Sequence, residues 1–289
     1  MRTTESRFIP ARKRLFAVTL FLLLVCILLT LYAFLIGPYS IKVEEITIHN
    51  SALSSVLEEI TVVALSDLHM RGDKKLETRL VETVNALDPD LILITGDFTG
   101  LYDRVTVDLS ALKSMKAALG IYGIPGNSDY SMKINGEYNE DFMEERLDNI
   151  RAQGVELLLD ERRDLSIDGK ILHIVGVAHG NSSDVRLEGL LVGVPRGKPI
   201  IVLSHFPQII SEAEKEGTSL VLAGHTHGGQ MSLPLIGPLV VKSGFGRTYY
   251  RGHYRVLDTH LYVNRGVGTS FVHARFMCPP EVTVLKFVE

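Results

Sequence analysis

Residues 220–229 read LVLAGHTHGG and join an apolar run to a pair of histidines. The apolar part, residues 220–223, is typical of a buried strand, and Gly224 fits the tight turn that follows it. Because residues two apart in an extended segment project to the same face, His225 and His227 can bind one ion. Loops at the carboxyl ends of strands are where α/β folds gather ligand sites. The stretch therefore predicts a metal-binding loop in an α/β fold.

Four other apolar runs lead into residues of metal-binding type in the same way. The run at residues 62–66 precedes Asp67 and His69, and the run at residues 91–95 precedes Asp97. Two further runs precede an asparagine and a histidine. Each motif alone is common by chance, whereas five motifs in this order, each after its own strand, are a strong joint indication. The candidate metal ligands are Asp67, His69, Asp97, Asn127, His205, His225 and His227.

The chemistry of this ligand set indicates a pair of divalent ions. Its donors are nitrogen and oxygen atoms with no thiolate, which suits zinc, manganese or iron(II). Six or seven donors are too many for one tetrahedral ion, so we expect two ions that share one carboxylate, with Asp97 as the best bridge. Two ions about 3.5–4 Å apart can clamp a phosphate and lower the pKa of a bridging water. The predicted reaction is hydrolysis of a phosphate ester or anhydride.

Short β-branched runs alternate with helical patterns after residue 40, which predicts an α/β domain. Strands are expected at residues 61–65, 91–95, 120–124, 171–177, 200–203, 220–223, 261–263 and 282–288. Helices are expected at residues 74–87, 107–119, 141–153 and 208–216. The pattern at residues 247–265 is ambiguous between loop and hairpin.

The motifs Asp67-x-His69, Gly96-Asp97, Gly126-Asn127, His205 and Gly224-His225-x-His227 resemble those of the calcineurin-like metallophosphoesterases. The resemblance spans roughly residues 59–284. The tail sequences YVNRGVG at residues 262–268 and CPPE at residues 278–281 are further similar to the membrane-anchored bacterial branch of that family.

The resemblance implies a four-layer αββα sandwich of two mixed sheets. It also implies that one ion is held by Asp67, His69, Asp97 and His227. The other ion would be held by Asp97, Asn127, His205 and His225. Relatives in the family cleave phosphodiesters and lipid A precursors such as UDP-diacylglucosamine, so the resemblance implies a phosphorylated small molecule or a lipid-linked substrate.

Ser128 departs from the family pattern, which has a histidine after the asparagine. That histidine is thought to protonate the leaving group, and a serine hydroxyl cannot act as an acid near neutral pH. The candidates for a substitute catalytic group are Asp129 and His179, with His253 and His273 as further alternatives. Because a phosphate leaving group needs little protonation, an anhydride or activated diester is the expected substrate.

Two more residues are candidate substrate contacts. Ser128 itself lies in the predicted site, and Arg275 could bind a phosphate through two parallel hydrogen bonds. The alternative, a solvated arginine, stays open.

Residues 15–36 form an uncharged apolar run long enough to cross a hydrocarbon core of about 30 Å as a helix. The alternative is a cleaved signal peptide, whose apolar run is shorter and is followed by a small-x-small cleavage site. Basic residues precede the run, which predicts a cytoplasmic N-terminus and an extracytoplasmic domain, although the cytoplasmic face stays open. The expected organisation is a basic tail (1–14), a transmembrane helix (15–36), a linker with the first strand (37–58) and the metallophosphoesterase domain (59–289).

The composition narrows the function classes. The net charge of −4 and the lack of a basic stripe argue against nucleic-acid binding. The sequence contains neither the GxGxxG of a dinucleotide fold nor the GxSxG of a serine hydrolase. We expect a membrane-anchored binuclear phosphoesterase acting on a phosphodiester or pyrophosphate. The alternatives are a general phosphodiesterase on soluble or cell-wall esters and a catalytically weak metal-binding regulatory protein. The oligomeric state stays open.

Overall fold

The computed structural model describes residues 11–100, 107–130, 133–134, 137–138, 140–178, 186–239, 241 and 248–289. The helices are α1 Ala11–Leu35, α2 Ser51–Leu57, α3 Lys74–Ala86, α4 Ser110–Lys113, α5 Asn127–Tyr130, α6 Glu140–Ala152, α7 Leu187–Leu190 and α8 Ile210–Lys215. Short 3₁₀ turns lie at Gly37–Tyr39, Pro207–Ile209 and His227–Gly229.

The first sheet has six strands, and its core strands are short, fully buried aliphatic runs. In spatial order they are β1 Lys42–His49, β16 Glu281–Val288, β2 Val62–Leu65, β3 Leu91–Ile94, β4 Ile121–Gly123 and β7 Val155–Leu157. β16 runs antiparallel to β2, and all other neighbours are parallel. Runs of Val, Ile and Leu without alternation are typical of strands that are covered on both faces.

The second sheet also has six strands and is parallel at its centre. In spatial order they are β14 Gly252–Val256, β15 Thr259–Val263, β11 Leu220–Ala223, β10 Ile200–Ser204, β9 Lys170–Val177 and β8 Glu161–Ile167. The two edge strands pair antiparallel with their neighbours. Two small hairpins complete the strands, β5 Lys133–Ile134 with β6 Glu137–Tyr138 and β12 Ser232–Leu233 with β13 Gly237–Pro238.

The sheets pack face to face, and helices cover their outer faces. Leu93 and Leu285 of the first sheet meet Leu203 and Leu222 of the second in one buried cluster. Helices α3 and α6 pack on the outside of the first sheet, and α7 and α8 pack on the outside of the second. Both faces of each sheet are apolar at the centre and must be covered, so this arrangement gives four layers. The predicted αββα sandwich of two mixed sheets is confirmed.

Helix α1 begins with Arg12, Lys13 and Arg14, is uncharged and apolar from Leu15 onward, and is long enough to cross a membrane. Its exposed side chains are mostly leucine, phenylalanine and valine. Its end is fixed to the domain, because the amide of Arg275 donates to the carbonyl of Ala33 and the ring of Tyr32 meets Phe276 edge-on. The chain then enters β1, which is parallel to β16 and therefore runs against β2. As a result β1 begins at the edge where β2 and β3 end.

The structure differs from the expected elements mainly at the sheet edges. The ambiguous segment after residue 247 contains the hairpin of β14 and β15. The helix expected at residues 107–119 is reduced to α4, because the amide of Leu119 donates to the carbonyl of Asp90 and brings the chain back to the first sheet. The helix expected at residues 208–216 begins two residues later, after a 3₁₀ turn.

Candidate metal centre

All seven candidate ligands lie together at one edge of the sandwich. Asp67 and His69 follow β2, Asp97 follows β3, and Asn127 follows β4. His205 follows β10, and the other two histidines follow β11. The central strands within each sheet are parallel, so their carboxyl ends meet at the same edge. Both sheets contribute side chains to a single crevice.

One group of ligands surrounds the side chain of His227. The Nε2 atoms of His69 and His227 are 3.0 Å apart, and Asp67 Oδ1 lies 3.4 Å from His227 Nε2. The imidazole rings of the two histidines are stacked with centroids 4.9 Å apart. These three residues could hold one metal ion.

A second group surrounds His205. Its Nε2 lies 3.2 Å from Asn127 Oδ1 and 3.2 Å from His225 Nδ1. Asp67, Asp97 and His205 also offer ligand atoms within 4.8 Å of one another. The distances therefore define two adjoining groups of donors, and Asp67 belongs to both.

Asp97 lies between the two groups. Its Oδ2 is 3.4 Å from His69 Nε2, and its Oδ1 is 3.5 Å from His205 Nε2. One carboxylate thus turns one oxygen to each group, which is the geometry that a bridging ligand needs. Asp67 is close to both groups as well.

Backbone carbonyls orient two of the imidazoles. Nδ1 of His69 lies 3.1 Å from the carbonyl oxygen of Thr99, and Nδ1 of His205 lies 2.7 Å from that of Thr95. A carbonyl accepts only, so each Nδ1 carries a proton, and Nε2 is the nitrogen left to bind a metal in the crevice. Both imidazole rings are therefore oriented to bind a metal through Nε2.

The buried donors fit a cation. Asp67 Oδ1, which faces His227 Nε2, is buried and has no hydrogen-bond partner. The lone pair of His69 Nε2 points at another imidazole nitrogen, an arrangement that needs a proton or a cation between the two atoms. The donor set of imidazole, carboxylate and amide oxygen matches the ligands of zinc, manganese and iron.

Burial and the neighbouring charges set the protonation of these donors when no cation is bound. Burial disfavours a charged His205, but the adjacent Asp97 outweighs it and raises the pKa of His205 to about 9. Burial would raise the pKa of Asp97 too, but His205 holds it well below its usual range. Burial lowers the pKa of His227 and raises that of Asp67. A divalent cation would favour the ionised Asp67 and replace the proton on His205.

Five of the seven ligands have a left-handed backbone. The φ angles are 47° at Asp67, 42° at His69, 55° at Asp97, 68° at His225 and 51° at His227. Side-chain-bearing residues adopt this region at a cost on the order of 1 kcal/mol each, and such strain is concentrated at functional sites. The strain places these side chains in the crevice immediately after each strand ends.

Two glycines let the loops approach closely. A Cβ at Gly126 would lie 2.2 Å from Asp97 Oδ1, and a Cβ at Gly224 would lie 1.7 Å from Ser66 Oγ. Any larger residue would move a loop that carries a ligand. These close contacts are the physical reason for the Gly-Asn and Gly-His pairs of the sequence.

Ser128 and Asp129 do not have the roles expected of them. Ser128 is fully buried, and its amide and hydroxyl donate to the two carboxylate oxygens of Asp97 at 2.7 and 2.8 Å. It orients a ligand and does not face a substrate. Asp129 is also fully buried and accepts hydrogen bonds from the amides of Phe98, Thr99 and Gly126. It fastens two ligand loops together, which is not the position of a catalytic acid. His179 lies outside the described residues.

Arg275 likewise differs from the expected phosphate contact. It is fully buried, and its guanidinium donates to the carbonyls of Arg265, Gly266, Gly268 and Cys278. All of these partners are backbone groups of the chain's own tail. The expectation was wrong because the sequence does not distinguish an arginine that binds a phosphate from one that binds the backbone carbonyls of a nearby glycine-rich loop.

The tail loop at residues 264–268 is a supporting element that the site prediction missed. The amide of Val267 donates to the carbonyl of Ser66, and that of Gly268 donates to the carbonyl of Asp67 at 2.7 Å. Behind it, Cys278 donates through Sγ to the carbonyl of His227. The glycines of this motif were the available signal for its supporting role. Because they lack a Cβ, the tail loop can approach the Asp67 loop closely.

An apolar cavity of about 250 Å³ adjoins the metal centre. His227 forms part of its wall, and most of the remainder is apolar. The lining includes Met231, Leu239, Phe271 and Val272. His227 therefore belongs both to the group of polar donors and to the wall of a mostly apolar cavity.

The geometry agrees with comparisons to known proteins. The family model for calcineurin-like phosphoesterases matches residues 60–229. A Bacillus subtilis (strain 168) protein named "Uncharacterized metallophosphoesterase YkuE" is 30% identical over 259 residues, which cover 88% of this chain and 87% of that protein. The Danio rerio "Transmembrane protein with metallophosphoesterase domain" is 30% identical over 297 residues, which cover 94% of this chain and 63% of that protein.

One solved structure is an archaeal phosphodiesterase, 17% identical with a TM-score of 0.36, covering 72% of this chain and 84% of its own. The family match spans more than half of the chain. The chain belongs to the calcineurin-like phosphoesterase family, so the predicted resemblance is confirmed. It is a hydrolase of phosphoric ester bonds with Asp and His residues that could bind metal.

Proposed function

We propose that the chain is a membrane-anchored binuclear metallophosphoesterase that hydrolyses a pyrophosphate or phosphodiester bond of a lipid-linked substrate. UDP-diacylglucosamine represents this chemical class. The two ions would be manganese, zinc or iron, one held by Asp67, His69, Asp97 and His227. The other would be held by Asp97, Asn127, His205 and His225.

The position of the site relative to helix α1 carries the proposal. Because β1 begins where β2 and β3 end, the last turn of α1 lies at the same edge of the sandwich as the ligands. An enzyme whose soluble substrate arrives from the bulk has no need of this arrangement. An anchor at the edge of the active site would hold the catalytic crevice beside the bilayer, where a lipid headgroup lies.

The apolar cavity beside His227 supports a substrate with a hydrocarbon part. Its wall combines aliphatic and aromatic side chains with His227, one of the proposed metal ligands. Burial of apolar surface contributes about 25 cal/mol per Å², so even a few methylene groups in this cavity would favour a lipid over a soluble ester.

The buried position of Ser128 supports an anhydride or activated diester. Its hydroxyl is committed to Asp97 and is not placed to protonate a leaving group. Bound divalent ions would supply Lewis-acid stabilisation and a water of lowered pKa. A phosphate leaving group departs without a proton, so this substrate class depends least on the histidine that the sequence lacks.

The test combines metal analysis with a substrate comparison on the full chain in nanodiscs. Wild type is expected to hold two divalent ions and to cleave UDP-diacylglucosamine faster than bis(p-nitrophenyl) phosphate. His225→Ala is expected to lose at least one ion and to lose activity. His49→Ala is the matched control, because His49 is exposed at the far end of β1 and is expected to change neither result. The proposal would be contradicted if the wild-type protein held no metal, or if His225→Ala had the same metal content and activity as wild type.

The proposed orientation places the N-terminus in the cytoplasm and the domain outside. The basic residues Arg12, Lys13 and Arg14 precede the apolar run, and basic residues are enriched on the cytoplasmic side. An alkaline phosphatase fusion after Glu289 is expected to be active, since that reporter requires export. An inactive fusion, with an active cytoplasmic reporter at the same position, would reverse the orientation.

A further inference from the structure

A group of exposed apolar side chains lies beside the metal centre and outside the crevice. Leu235 is fully exposed at the turn between β12 and β13, and Ile236 next to it is 62% exposed. Phe271 and Met277 are more than half exposed. We call this surface the apolar rim, and its members are Leu235, Ile236, Leu239, Phe271, Val272 and Met277.

Hydrogen bonds to backbone carbonyls join the parts of the apolar rim into one surface. The amide of Ser232 donates to the carbonyl of Phe276, and the side-chain amide of Gln230 donates to the carbonyl of Val272. Leu239 and Val272 also line the same cavity. The hairpin of β12 and β13 and the loop at residues 270–277 therefore present their exposed side chains together.

The apolar rim is continuous with the end of helix α1. The loop that carries Val272 and Met277 also supplies Phe276, whose ring meets Tyr32, and His273, whose Nε2 lies 3.3 Å from the hydroxyl of Tyr39. The ammonium of Lys75 lies 4.1 Å above the ring of Tyr39. Tyrosine and lysine side chains together are typical of the level at which a membrane meets water.

We infer that the apolar rim is a second membrane-contact surface, inserted into the interfacial region of the same bilayer that α1 crosses. The apolar rim would contact lipid, because it adjoins the end of helix α1, where the chain passes from the membrane anchor into the domain. An exposed apolar surface at that level would otherwise be hydrated. The anchor alone would permit the domain to tilt or rotate. With the rim inserted as well, the metal centre and its cavity would open toward lipid headgroups. This inference rests on the proposed function for the anchor.

Tryptophan fluorescence tests the contact directly, because the chain contains no tryptophan. Leu235→Trp places a probe on the rim. Leu257→Trp is the matched control, since Leu257 is also an exposed leucine with a positive φ in a hairpin turn. Its turn precedes β15 and so lies at the edge opposite the ligands. Phe21→Trp, within α1, reports the anchor. The full chain is reconstituted in phosphatidylcholine–phosphatidylglycerol vesicles with acyl chains either plain or brominated.

We expect brominated chains to quench Leu235→Trp and Phe21→Trp several-fold more than Leu257→Trp, and soluble iodide to quench only Leu257→Trp strongly. Leu235→Trp quenched by iodide and not by bromine would overturn the inference. Protection of that probe from both quenchers would also overturn it, since it would mean that protein covers the rim. Ile236→Trp repeats the test at a neighbouring position. Failure of the anchor itself would appear separately, as an unquenched Phe21→Trp.

Discussion

At the scale of single residues, the carboxylate of Asp129 shows how a charged group beside a metal centre can serve the backbone. Its two oxygens receive the amides of Phe98, Thr99 and Gly126 together with the hydroxyl of Thr99. These bonds join the loop after Asp97 to the loop that carries Asn127. The spacing between two ligands of the second group therefore depends on Asp129.

Asp129→Asn is expected to destabilise the protein by roughly 2–4 kcal/mol, because an amide NH₂ would face backbone donors in place of an acceptor and a charged hydrogen-bond network would be lost. Chemical denaturation of the full chain in detergent measures the change. Metal affinity should fall with it, while the leaving-group dependence of the remaining activity should stay as in wild type. Unchanged stability together with an altered leaving-group dependence would restore Asp129 as a catalytic acid.

Ser128 leads to a second prediction at this scale. Because its hydroxyl donates to Asp97, the leaving group is expected to depart without help from this position. Across a series of aryl phosphodiesters, the rate should fall steeply as the pKa of the leaving phenol rises. General-acid catalysis contributes about 10²–10⁴-fold for poor leaving groups, and its absence should appear as that slope. A rate independent of leaving-group pKa would show that another group donates the proton.

At the scale of elements, the tail loop and its arginine form a scaffold for the first ligand loop. The loop at residues 264–268 donates two amides to the backbone around Asp67. Arg275 gathers four carbonyls around its guanidinium and holds the loop from behind. Arg275 has a reduced pKa, because its burial outweighs the nearby acidic groups.

Arg275→Met should therefore destabilise the protein by roughly 2–5 kcal/mol, since hydrogen bonds from a charged donor would be lost and buried carbonyls would be left without partners. Thermal unfolding of the full chain in detergent gives the measurement. Arg255→Met is the matched control, because Arg255 is an exposed arginine on an edge strand, and a shift within about 0.5 kcal/mol is expected for it. Equal effects of the two substitutions would contradict the clamp.

The central strands were predictable because their residues are buried on both faces and form uninterrupted aliphatic runs. Edge strands such as β8 alternate exposed polar with partly buried residues, so they resemble surface loops. The seven ligands were predictable because each directly follows such a run. Their left-handed backbone angles, and the role of Arg275, were not predictable because both arise from contacts between segments far apart in the sequence. The single-residue expectations failed where burial decided the role.

At the scale of the whole molecule, the ligands connect the two sheets. In the first group Asp67 and His69 come from the first sheet and His227 from the second. In the second group Asn127 comes from the first sheet, and its partners follow strands of the second. Each bound ion would therefore cross-link the two halves of the sandwich at the edge where the loops carry backbone strain.

Chelation is expected to lower the melting temperature of the whole domain and not only to stop catalysis. An ion present at a hundred times its dissociation constant adds about 2.7 kcal/mol of stability. A domain of this size shifts by about 2–4 °C per kcal/mol. Removal of each ion should therefore lower the melting temperature by roughly 5–10 °C. Circular dichroism of the full chain in detergent, with manganese or with EDTA, measures the shift.

A variant that lacks one metal ligand distinguishes loss of the cross-link between the sheets from other effects of EDTA. His225→Ala removes a donor of the second sheet, so it should melt below wild type in manganese and respond less to EDTA. His49→Ala should respond to EDTA as wild type does, since His49 lies at the end of β1 away from the metal ligands. Its side chain forms a hydrogen bond with the carbonyl oxygen of Glu289. A melting temperature that EDTA leaves unchanged in wild type would mean that no ion connects the sheets. In that case the buried Asp67 and His227 would have to be satisfied in another way.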